Sequence, residues 1–546
     1  MQTSGLDIEQ RGVAPFPSLL EQLSWADKAP LACGFGCLLG LSSPGYDLWW
    51  LAWVGLAPLL VLIQGCRTTV QSALTGAVFG IGYYLVALRW YLGLYPLRWL
   101  GLADWLGFQA AVGAWLLESF HQGLLIAGFA ALVYAVPMRA GFLPYYNRPF
   151  FPYLLSVPLI WLFFQWVLGA SEIFLGVPVC QLAYSQCHQL ELIQIAKWGG
   201  SQLVDFVIVL FNSLIAVSLI ELTGLAPRLA DRVDRLSARS GCLVDASAAS
   251  LILLAACLWG QAEVKRVAAA TALDPLAVSL TARRPVPVAV LQGNVSIEDE
   301  RLGSMSPPEI AQRYALLGRG LGAALLFLPE AVVNQKQMGP GLLLDQLRQI
   351  TSIEKKEALA GLVEPLGRGL ANAVELIRAP AQGEVLYIKR RLVPFGEYIP
   401  IWPLWEAIPE QVKQLFTGAS KSFVPAGSAH LIDSIWGKVG ASICVEVVYP
   451  RLIADEVRDG ASLLINVSNL AWFHNSQLNR QLLAAAVMRA VENGRYMVLS
   501  TNTGISAVID PAGTVTSVSL PGQKGVLLDT VQFLYKRTPF TRMWWL

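Results

Sequence analysis

The sequence predicts two unlike parts: a multi-span α-helical membrane domain followed by an α/β domain. The first observation is composition, since 55% of the 546 residues are hydrophobic and only 14% are charged. This is more apolar than an ordinary soluble enzyme and typical of a membrane protein. The second observation is that long apolar stretches are confined to the first half, whereas the second half alternates short apolar runs with helical stretches.

Seven apolar stretches in the first half read as membrane-spanning helices. We therefore predict a membrane domain over 29–261. The cytoplasmic N-terminal segment before it, 1–28, has no small-residue cleavage site of the kind found in signal peptides. The predicted spans lie at about 29–43, 47–64, 70–92, 107–136, 150–168, 202–222 and 243–261.

Basic residues near the ends of these stretches predict the orientation, because they collect on the cytoplasmic side of a membrane. Seven spans with the N-terminus inside place everything after about residue 262 in the periplasm of a bacterium, with the protein in the inner membrane. The total charge of +2 argues against a nucleic-acid role. The predicted cytoplasmic loops hold Arg67, Arg139, Arg148, Arg228, Arg232, Arg235 and Arg239, against Arg89, Arg98 and Lys197 outside.

The second half has the alternation of an α/β domain. We predict a connector over 262–285, one well-buried domain over 286–533 and a C-terminal tail over 534–546. The predicted strands are Val286–Gln292, Ala324–Leu328, Val385–Ile388, Lys438–Ile443, Ser462–Val467, Tyr496–Ser500 and Ser506–Ile509, with helices over 308–321, 340–352 and 477–493 between several of them.

Cys444 is the only cysteine in the last 289 residues, and the other seven all lie at or before Cys257. It ends an apolar run, Lys438–Ile443, that reads as a strand delivering a thiol to a turn. A thiol at a strand end is where a nucleophile would be presented. Taken alone, the residue is better explained as a small core residue.

Glu330 closes the apolar run Leu325–Pro329, so a carboxylate lies where a strand meets a loop. Such a position has access to a cleft and is partly shielded from water, which suits a proton acceptor near neutral pH. For an isolated Pro-Glu pair, a solvated loop glutamate is the more common interpretation.

Lys389 follows the apolar run Val385–Ile388. A lysine beside a reacting carbonyl stabilises the oxyanion and lowers the pKa of a neighbouring thiol. By itself, Lys-Arg-Arg is better explained as a solvated or lipid-headgroup patch. The sequence that follows is more specific, because Gly396 permits a sharp turn and Glu397 is placed to orient a neighbour.

Six motifs occur in a fixed order along the chain: Leu291–Asn294, Leu328–Glu330, Lys389–Glu397, Cys444–Glu446, Ser468–Phe473 and Met488–Arg495. Together they resemble the nitrilase superfamily, whose Glu-Lys-Cys triad has this chain order, and in particular its membrane branch, the apolipoprotein N-acyltransferases. The resemblance covers nearly the whole chain. It implies an α/β nitrilase-like domain, an α-β-β-α sandwich, behind several membrane helices.

The resemblance implies Glu330 as general base, Lys389 as stabiliser of the oxyanion and thiolate, and Cys444 as nucleophile. For the two aromatic residues of the fifth motif, Trp472 and Phe473, core packing and a functional role are equally good explanations. The supporting or substrate-binding residues would be Glu397, Glu446, Trp472 and Phe473, the last two in the wall of the active site.

The implied reaction moves an acyl chain from a phospholipid, through a thioester on Cys444, to the α-amine of the N-terminal diacylglyceryl-cysteine of apolipoproteins. The partners would be the phospholipid donor, the lipidated acceptor and the membrane, and a monomer is expected. No cofactor or metal is implied, because His121, His188, His430 and His474 are scattered without ligand spacing.

Three residues depart from the family pattern: Val445, Leu470 and Arg301 replace a usual aromatic residue, Asp and Trp. The family's usual final membrane helix is also not expected in the tail. Two alternatives therefore stay open. One is a membrane-anchored nitrilase-like amidase or hydrolase that uses water, and the other is a non-catalytic lipoprotein-binding relative.

Overall fold

A computed structural model gives the structure of the chain. It describes residues 19–136, 138–139, 151–170, 176–223, 235–271, 284–334, 342–367, 369–379, 384–394, 396–398, 423–428 and 430–543. In these ranges an α-helical region comes first and a two-sheet α/β domain follows it.

Ten helices and a short parallel strand pair make up the described part of the first region. Short 3-10 turns at Arg89–Leu94, Arg98–Leu100 and Leu182–Gln186 connect some of them. The helices are α1 (Leu19–Gln22), α2 (Trp25–Gly40), α3 (Leu51–Val54), α4 (Ala57–Gln64), α5 (Thr69–Ala87), α6 (Asp104–Ala135), α7 (Tyr153–Ala170), α8 (Leu190–Ile193), α9 (Ala196–Thr223) and α10 (Arg235–Thr271), and the strands are β1 (Met138–Arg139) and β2 (Phe151–Pro152).

Within the described residues, four helices are long and apolar enough to cross a membrane: α5, α6, α9 and α10. Shorter apolar helices occupy Leu51–Gln64 and Tyr153–Gly169. Each of the seven predicted spans overlaps helix, but the predicted span 47–64 is divided into α3 and α4. The number of spans and their orientation stay predictions. Helix α10 continues to Thr271, so the first part of the predicted connector is helical.

The α/β domain contains thirteen strands and six helices in the described residues. The strands are β3 (Pro285–Gln292), β4 (Leu325–Phe327), β5 (Val333–Asn334), β6 (Glu357–Leu366), β7 (Gly369–Ile377), β8 (Glu384–Ile388), β9 (Ile432–Ser434), β10 (Gly437–Ile443), β11 (Leu463–Ser468), β12 (Met497–Thr501), β13 (Ala507–Ile509), β14 (Val515–Val518) and β15 (Gly525–Gln532). The helices are α11 (Ile297–Arg301), α12 (Pro307–Gly318), α13 (Leu342–Glu354), α14 (Pro450–Asp459), α15 (Leu478–Asn493) and α16 (Pro539–Arg542).

These strands form two sheets. The first has the order β15-β3-β4-β6-β7-β8, with β5 paired to β6, and the second has the order β14-β13-β12-β11-β10-β9. The centres of both sheets are parallel, namely β3-β4-β6 in one and β10-β11-β12 in the other. Because carboxyl ends of parallel strands meet at one edge, each sheet presents a rim of strand-end loops.

The two sheets face each other across an apolar core that includes Val288 and Phe327 from one sheet and Ile443, Ile465 and Val498 from the other. Helices α12 and α13 cover the outer face of the first sheet. Helices α14 and α15 cover the outer face of the second. The α-β-β-α sandwich expected from the sequence is therefore confirmed.

Every predicted strand of this domain overlaps an observed strand, and every predicted helix overlaps an observed helix. The hairpin β6–β7 was not predicted. Its two strands are buried along almost their whole length, so they lack the period-two alternation of a half-exposed strand. Polar residues such as Asn372 and Glu375 also interrupt the apolar run.

The α/β domain packs directly against the helical region, and one apolar cluster runs through both. Helix α9 bends at Gly200, whose φ is +70°, and just after the bend the Ser201 amide donates to Glu492 Oε1 of α15 at 2.6 Å. Arg489, one turn earlier on α15, donates to the same carboxylate at 2.9 Å, and both side chains are fully buried.

This pair generates a prediction about stability. Replacing Arg489 with Met should cost about 3–5 kcal/mol of unfolding free energy, because it leaves the Glu492 charge buried without its cation. The double variant Arg489→Met/Glu492→Gln should recover most of that loss. Denaturant unfolding of the purified protein in detergent measures both, and equal losses in the single and double variants would contradict the paired role.

Candidate active site

Cys444 lies directly after β10 and begins a 3-10 turn, Cys444–Val448. Its φ is +54°, a left-handed conformation that costs a residue with a side chain on the order of 1–3 kcal/mol. The Glu446 carboxylate holds this turn: it accepts from the Ile443 amide at 2.7 Å, the Arg390 amide at 2.7 Å and the Tyr387 hydroxyl at 2.8 Å. These hydrogen bonds hold the strained backbone conformation of Cys444 in place.

Glu330 follows β4 and comes from the other sheet. Its side chain is only 8% exposed. Gly361 of β6 allows the loop to lie against the sheet, since a Cβ there would stand 2.4 Å from the Pro329 carbonyl oxygen. Oε1 of Glu330 accepts from Asn372 Nδ2 at 2.7 Å, and Oε2 accepts from the Asn469 amide at 2.7 Å. These bonds fix the orientation of the carboxylate.

Lys389 follows β8 and is almost completely buried, at 1% exposure. Its Nζ lies 3.4 Å from Glu330 Oε1 and 2.8 Å from Glu397 Oε1. Burial alone would lower the pKa of this lysine, but the charges of Glu397 and Glu330 raise it above the ordinary value. Lys389 is therefore an ammonium held between two carboxylates.

Glu330 and Lys389 lie 3.4 Å apart, and the Cys444 thiol is near enough to both for their charges to act on it. Burial raises the pKa of Cys444, the charges of Glu330 and Glu397 raise it further, and Lys389 opposes them without prevailing. Lys389 lowers the thiol pKa, as expected, but burial and the two carboxylates outweigh its effect, so the net shift is upward. The thiol rests protonated beside a carboxylate that can take its proton.

Both predicted supporting carboxylates also lie at this site. Glu397 accepts from Lys389 and, at 3.1 Å, from Asn372 through Oε1, while its Oε2 accepts from the Val393 amide at 2.8 Å. Glu446, fully buried, supports the turn that carries Cys444. Their roles in catalysis stay predictions.

Trp472 and Phe473 contact the helical region. The Trp472 ring packs edge-on against Trp99 with centroids 4.5 Å apart, and the Phe473 ring against Trp90 at 5.1 Å. The guanidinium of Arg301 lies over the Trp472 ring, 5.6 Å from its centroid. A role of the two aromatic residues in the wall of the active site stays a prediction.

Sequence reasoning missed two asparagines of the site. Asn372 on β7 donates to both Glu330 and Glu397, and its carbonyl oxygen accepts from the Lys389 amide at 2.8 Å. Asn469, after β11, donates its backbone amide to Glu330. For Asn372, the available signal in the sequence was a polar residue inside the apolar run Leu370–Val374.

A pocket adjoins the Glu330 side of the site. It lies between α11, α12 and the loops that follow β4, β11 and β12, and is lined by Val295, Glu300, Ile310, Tyr314, Glu330, Ala331, Val332, Asn469 and Asn502. In the part of the chain that the structure describes, no group of three or more His, Cys, Asp and Glu side chains is placed to hold a metal ion.

Comparisons with known proteins agree with this arrangement. The family model described as carbon-nitrogen hydrolase matches residues 288–537. The model described as apolipoprotein N-acyltransferase N-terminal domain matches residues 35–214. The two matches correspond to the α/β domain and the helical region, in that order.

Curated relatives match over nearly the full length. The chain is 28% identical to the apolipoprotein N-acyltransferase of Gloeobacter violaceus over 89% of this chain and 85% of that protein. It is 28% identical to that of Pseudomonas syringae pv. tomato over 93% and 92%. Among solved structures, the carbon-nitrogen hydrolase from Helicobacter pylori G27 is 15% identical, over 48% of this chain and 94% of its own, with a TM-score of 0.35.

The four apolar helices and these relatives make the chain a membrane protein. The chain therefore carries an apolipoprotein N-acyltransferase N-terminal domain followed by a carbon-nitrogen hydrolase domain, and it is similar to apolipoprotein N-acyltransferases along about nine tenths of its length.

Proposed function

We propose that this protein transfers an acyl chain from a phospholipid to the α-amine of the N-terminal diacylglyceryl-cysteine of apolipoproteins, through a thioester on Cys444. The observation that carries the proposal is the meeting of a half-buried thiol, a carboxylate and an ammonium at the strand ends of a domain packed on membrane helices. The relatives named apolipoprotein N-acyltransferase supply the acceptor, and the phospholipid donor is the one that the family resemblance implies.

In the first step Glu330 takes the proton of the Cys444 thiol as the sulfur attacks the ester carbonyl of the phospholipid. The carbonyl becomes a tetrahedral oxyanion, which Lys389 stabilises with its charge. The ester C–O bond then breaks, the lysophospholipid oxygen takes the proton back from Glu330, and acyl-Cys444 remains.

In the second step the neutral α-amine of the acceptor attacks the thioester carbonyl. Glu330 accepts a proton from the attacking nitrogen, the C–S bond breaks, and the sulfur recovers that proton as a thiol. A thiolate is a better leaving group than an alkoxide, so the amine displaces Cys444 from the thioester more readily than it would displace the alkoxide from the donor ester. The triad thus returns to its resting protonation.

The first prediction concerns the covalent step. Cys444→Ala should abolish the added mass of one acyl group that intact-mass spectrometry detects on wild-type protein after incubation with phospholipid. The wild-type acyl-enzyme should persist in buffer and discharge when a diacylglyceryl peptide with a free N-terminal amine is added, because a dry cleft facing lipid excludes water.

Two results would contradict this prediction. Normal turnover by Cys444→Ala would refute nucleophilic catalysis. Rapid loss of the acyl group to water, with no response to the peptide amine, would favour a hydrolase. Cys257→Ala, a cysteine of helix α10, is the matched control and should acylate normally.

A second prediction concerns pH. Because burial and the charge of Glu330 raise the pKa of Cys444, alkylation of this residue by iodoacetamide should keep accelerating, about tenfold per pH unit, above the ordinary thiol pKa of ~8.5. Glu330→Gln removes a neighbouring negative charge and should move the profile to lower pH, and Lys389→Met should move it higher. Peptide mass spectrometry of Cys444 measures all three. A wild-type plateau below pH 8 would instead indicate a preformed thiolate.

We also propose that the protein lies in the bacterial inner membrane as a monomer, with the α/β domain in the periplasm. The arginine distribution of the loops supports this orientation. A membrane-impermeant thiol reagent applied to spheroplasts should label Ile353→Cys, which replaces a 72%-exposed residue of the α/β domain, and spare Ala230→Cys in the loop predicted to be cytoplasmic. The reverse pattern would overturn the orientation.

A further inference from the structure

The pocket beside Glu330 contains a second carboxylate, Glu300, at the end of α11. Its side chain is 18% exposed, and its ion pair with the Arg301 Nε is long, at 3.8 Å. The Arg301 guanidinium lies instead over the Trp472 ring. Burial raises the pKa of Glu300, and the Arg301 charge only partly opposes that effect. A partly desolvated carboxylate with so weak an ion pair retains its capacity to accept protons or hydrogen bonds.

The other polar groups of the pocket are already engaged. The Tyr314 hydroxyl donates to Asn502 Oδ1 at 3.1 Å, and Asn502 Nδ2 donates to the Val295 carbonyl at 2.7 Å and to Asn469 Oδ1 at 3.1 Å. These bonds fix the pocket walls. Glu300 and Glu330 therefore give the pocket its negative charge, and a cationic donor is the ligand that it suits.

The proton balance of the second step supplies the reason for such a ligand. An α-amine has a pKa of about 7.7–8.0, so at neutral pH it arrives mostly as an ammonium with three protons on nitrogen. The amide product keeps one of them. Glu330 carries one of the other two to the leaving sulfur, and no group of the triad is left to receive the last.

We infer that Glu300 binds the primary ammonium of the acceptor and takes its first proton, which makes the nitrogen nucleophilic beside Glu330. The inference rests on the proposed function and deepens it. The N–H bond breaks, its electron pair stays on nitrogen, and the proton resides on Glu300 until it passes to solvent through the pocket. Glu330 then receives the second proton during attack and returns it to sulfur.

The position of the pocket fits an acceptor that arrives from the bilayer. Arg301, next to Glu300 in the chain, lies over Trp472, and Trp472 packs on Trp99 of the helical region. The pocket is thus one residue away from the junction with the membrane helices. An N-terminal amine joined to a membrane-held diacylglyceryl group can enter there while its acyl chains stay in lipid.

The test is the discharge of preformed acyl-Cys444 by a diacylglyceryl peptide as a function of pH. In Glu300→Gln only the amine that is already neutral reacts, so its discharge rate should fall about tenfold for each pH unit below ~8, or roughly 100-fold at pH 6. The wild-type rate should fall far less over the same range. Glu300→Asp, which keeps the charge, should restore the shallower profile in part.

Two controls separate this role from damage to the site. Hydroxylamine, which is neutral at pH 7 and needs no deprotonation before it attacks, should discharge acyl-Cys444 of the wild type and of Glu300→Gln at equal rates. Glu298→Gln is the matched variant, since Glu298 lies on the same helix but contacts His474 at 3.2 Å and does not line the pocket. It should keep the wild-type pH profile.

A primary ammonium also occurs in ethanolamine phospholipids, so the pocket could instead bind the headgroup of the donor. The rate of Cys444 acylation by phospholipids with ethanolamine and with glycerol headgroups is therefore compared in the same variants. Equal pH profiles for wild-type and Glu300→Gln discharge would overturn the inference. Slower acylation from the ethanolamine lipid alone, with discharge unchanged, would assign the pocket to the donor headgroup and also overturn it. Failure of the wild-type protein to acylate Cys444 would refute the proposed function instead.

Discussion

The active site depends on one buried ammonium. Lys389 has almost no exposure to water, and an unpaired charge in such a place costs several kcal/mol. Glu397 at 2.8 Å and Glu330 at 3.4 Å offset that cost, and the single amide group of Asn372 donates to both carboxylates. Because these groups come from β7, β8 and the loop after β4, the ion pairs form only when the strands are in register. The charge cluster thereby ties the chemistry to the fold.

The same cluster explains why the thiol is not preactivated. Burial makes the largest contribution to the penalty for a thiolate at Cys444, and the two carboxylates, opposed by one ammonium, add to that penalty. A protonated resting thiol suits a protein that works beside lipid, since a permanent thiolate would be open to oxidation and alkylation. Under the proposed mechanism the proton moves to Glu330 only when a carbonyl is in place, and the lysine charge is used on the oxyanion.

The sequence predicted the strands that end at Glu330, Lys389 and Cys444, because apolar runs are local signals, whereas the sandwich of layers was implied only by the family resemblance. The sequence did not predict the hairpin that carries Asn372, since strands buried on both faces lose the alternation on which such predictions depend. The net rise of the Cys444 pKa was not predicted either, because it depends on burial and on which charges lie nearest, both properties of three-dimensional packing. Asn469 acts through its backbone amide, which no side-chain pattern reveals.

Five residues connect the Glu330 carboxylate to the helical region. The segment begins at Asn469, whose amide holds Glu330, and ends at Phe473, whose ring packs on Trp90. Gly93 makes that approach possible, since a Cβ there would stand 2.5 Å from the Phe473 carbonyl oxygen. A shift of the helical region against the α/β domain would therefore move the hydrogen bond that orients Glu330. This gives a physical reason for one chain to contain both parts: packing on the helical region also fixes the carboxylate.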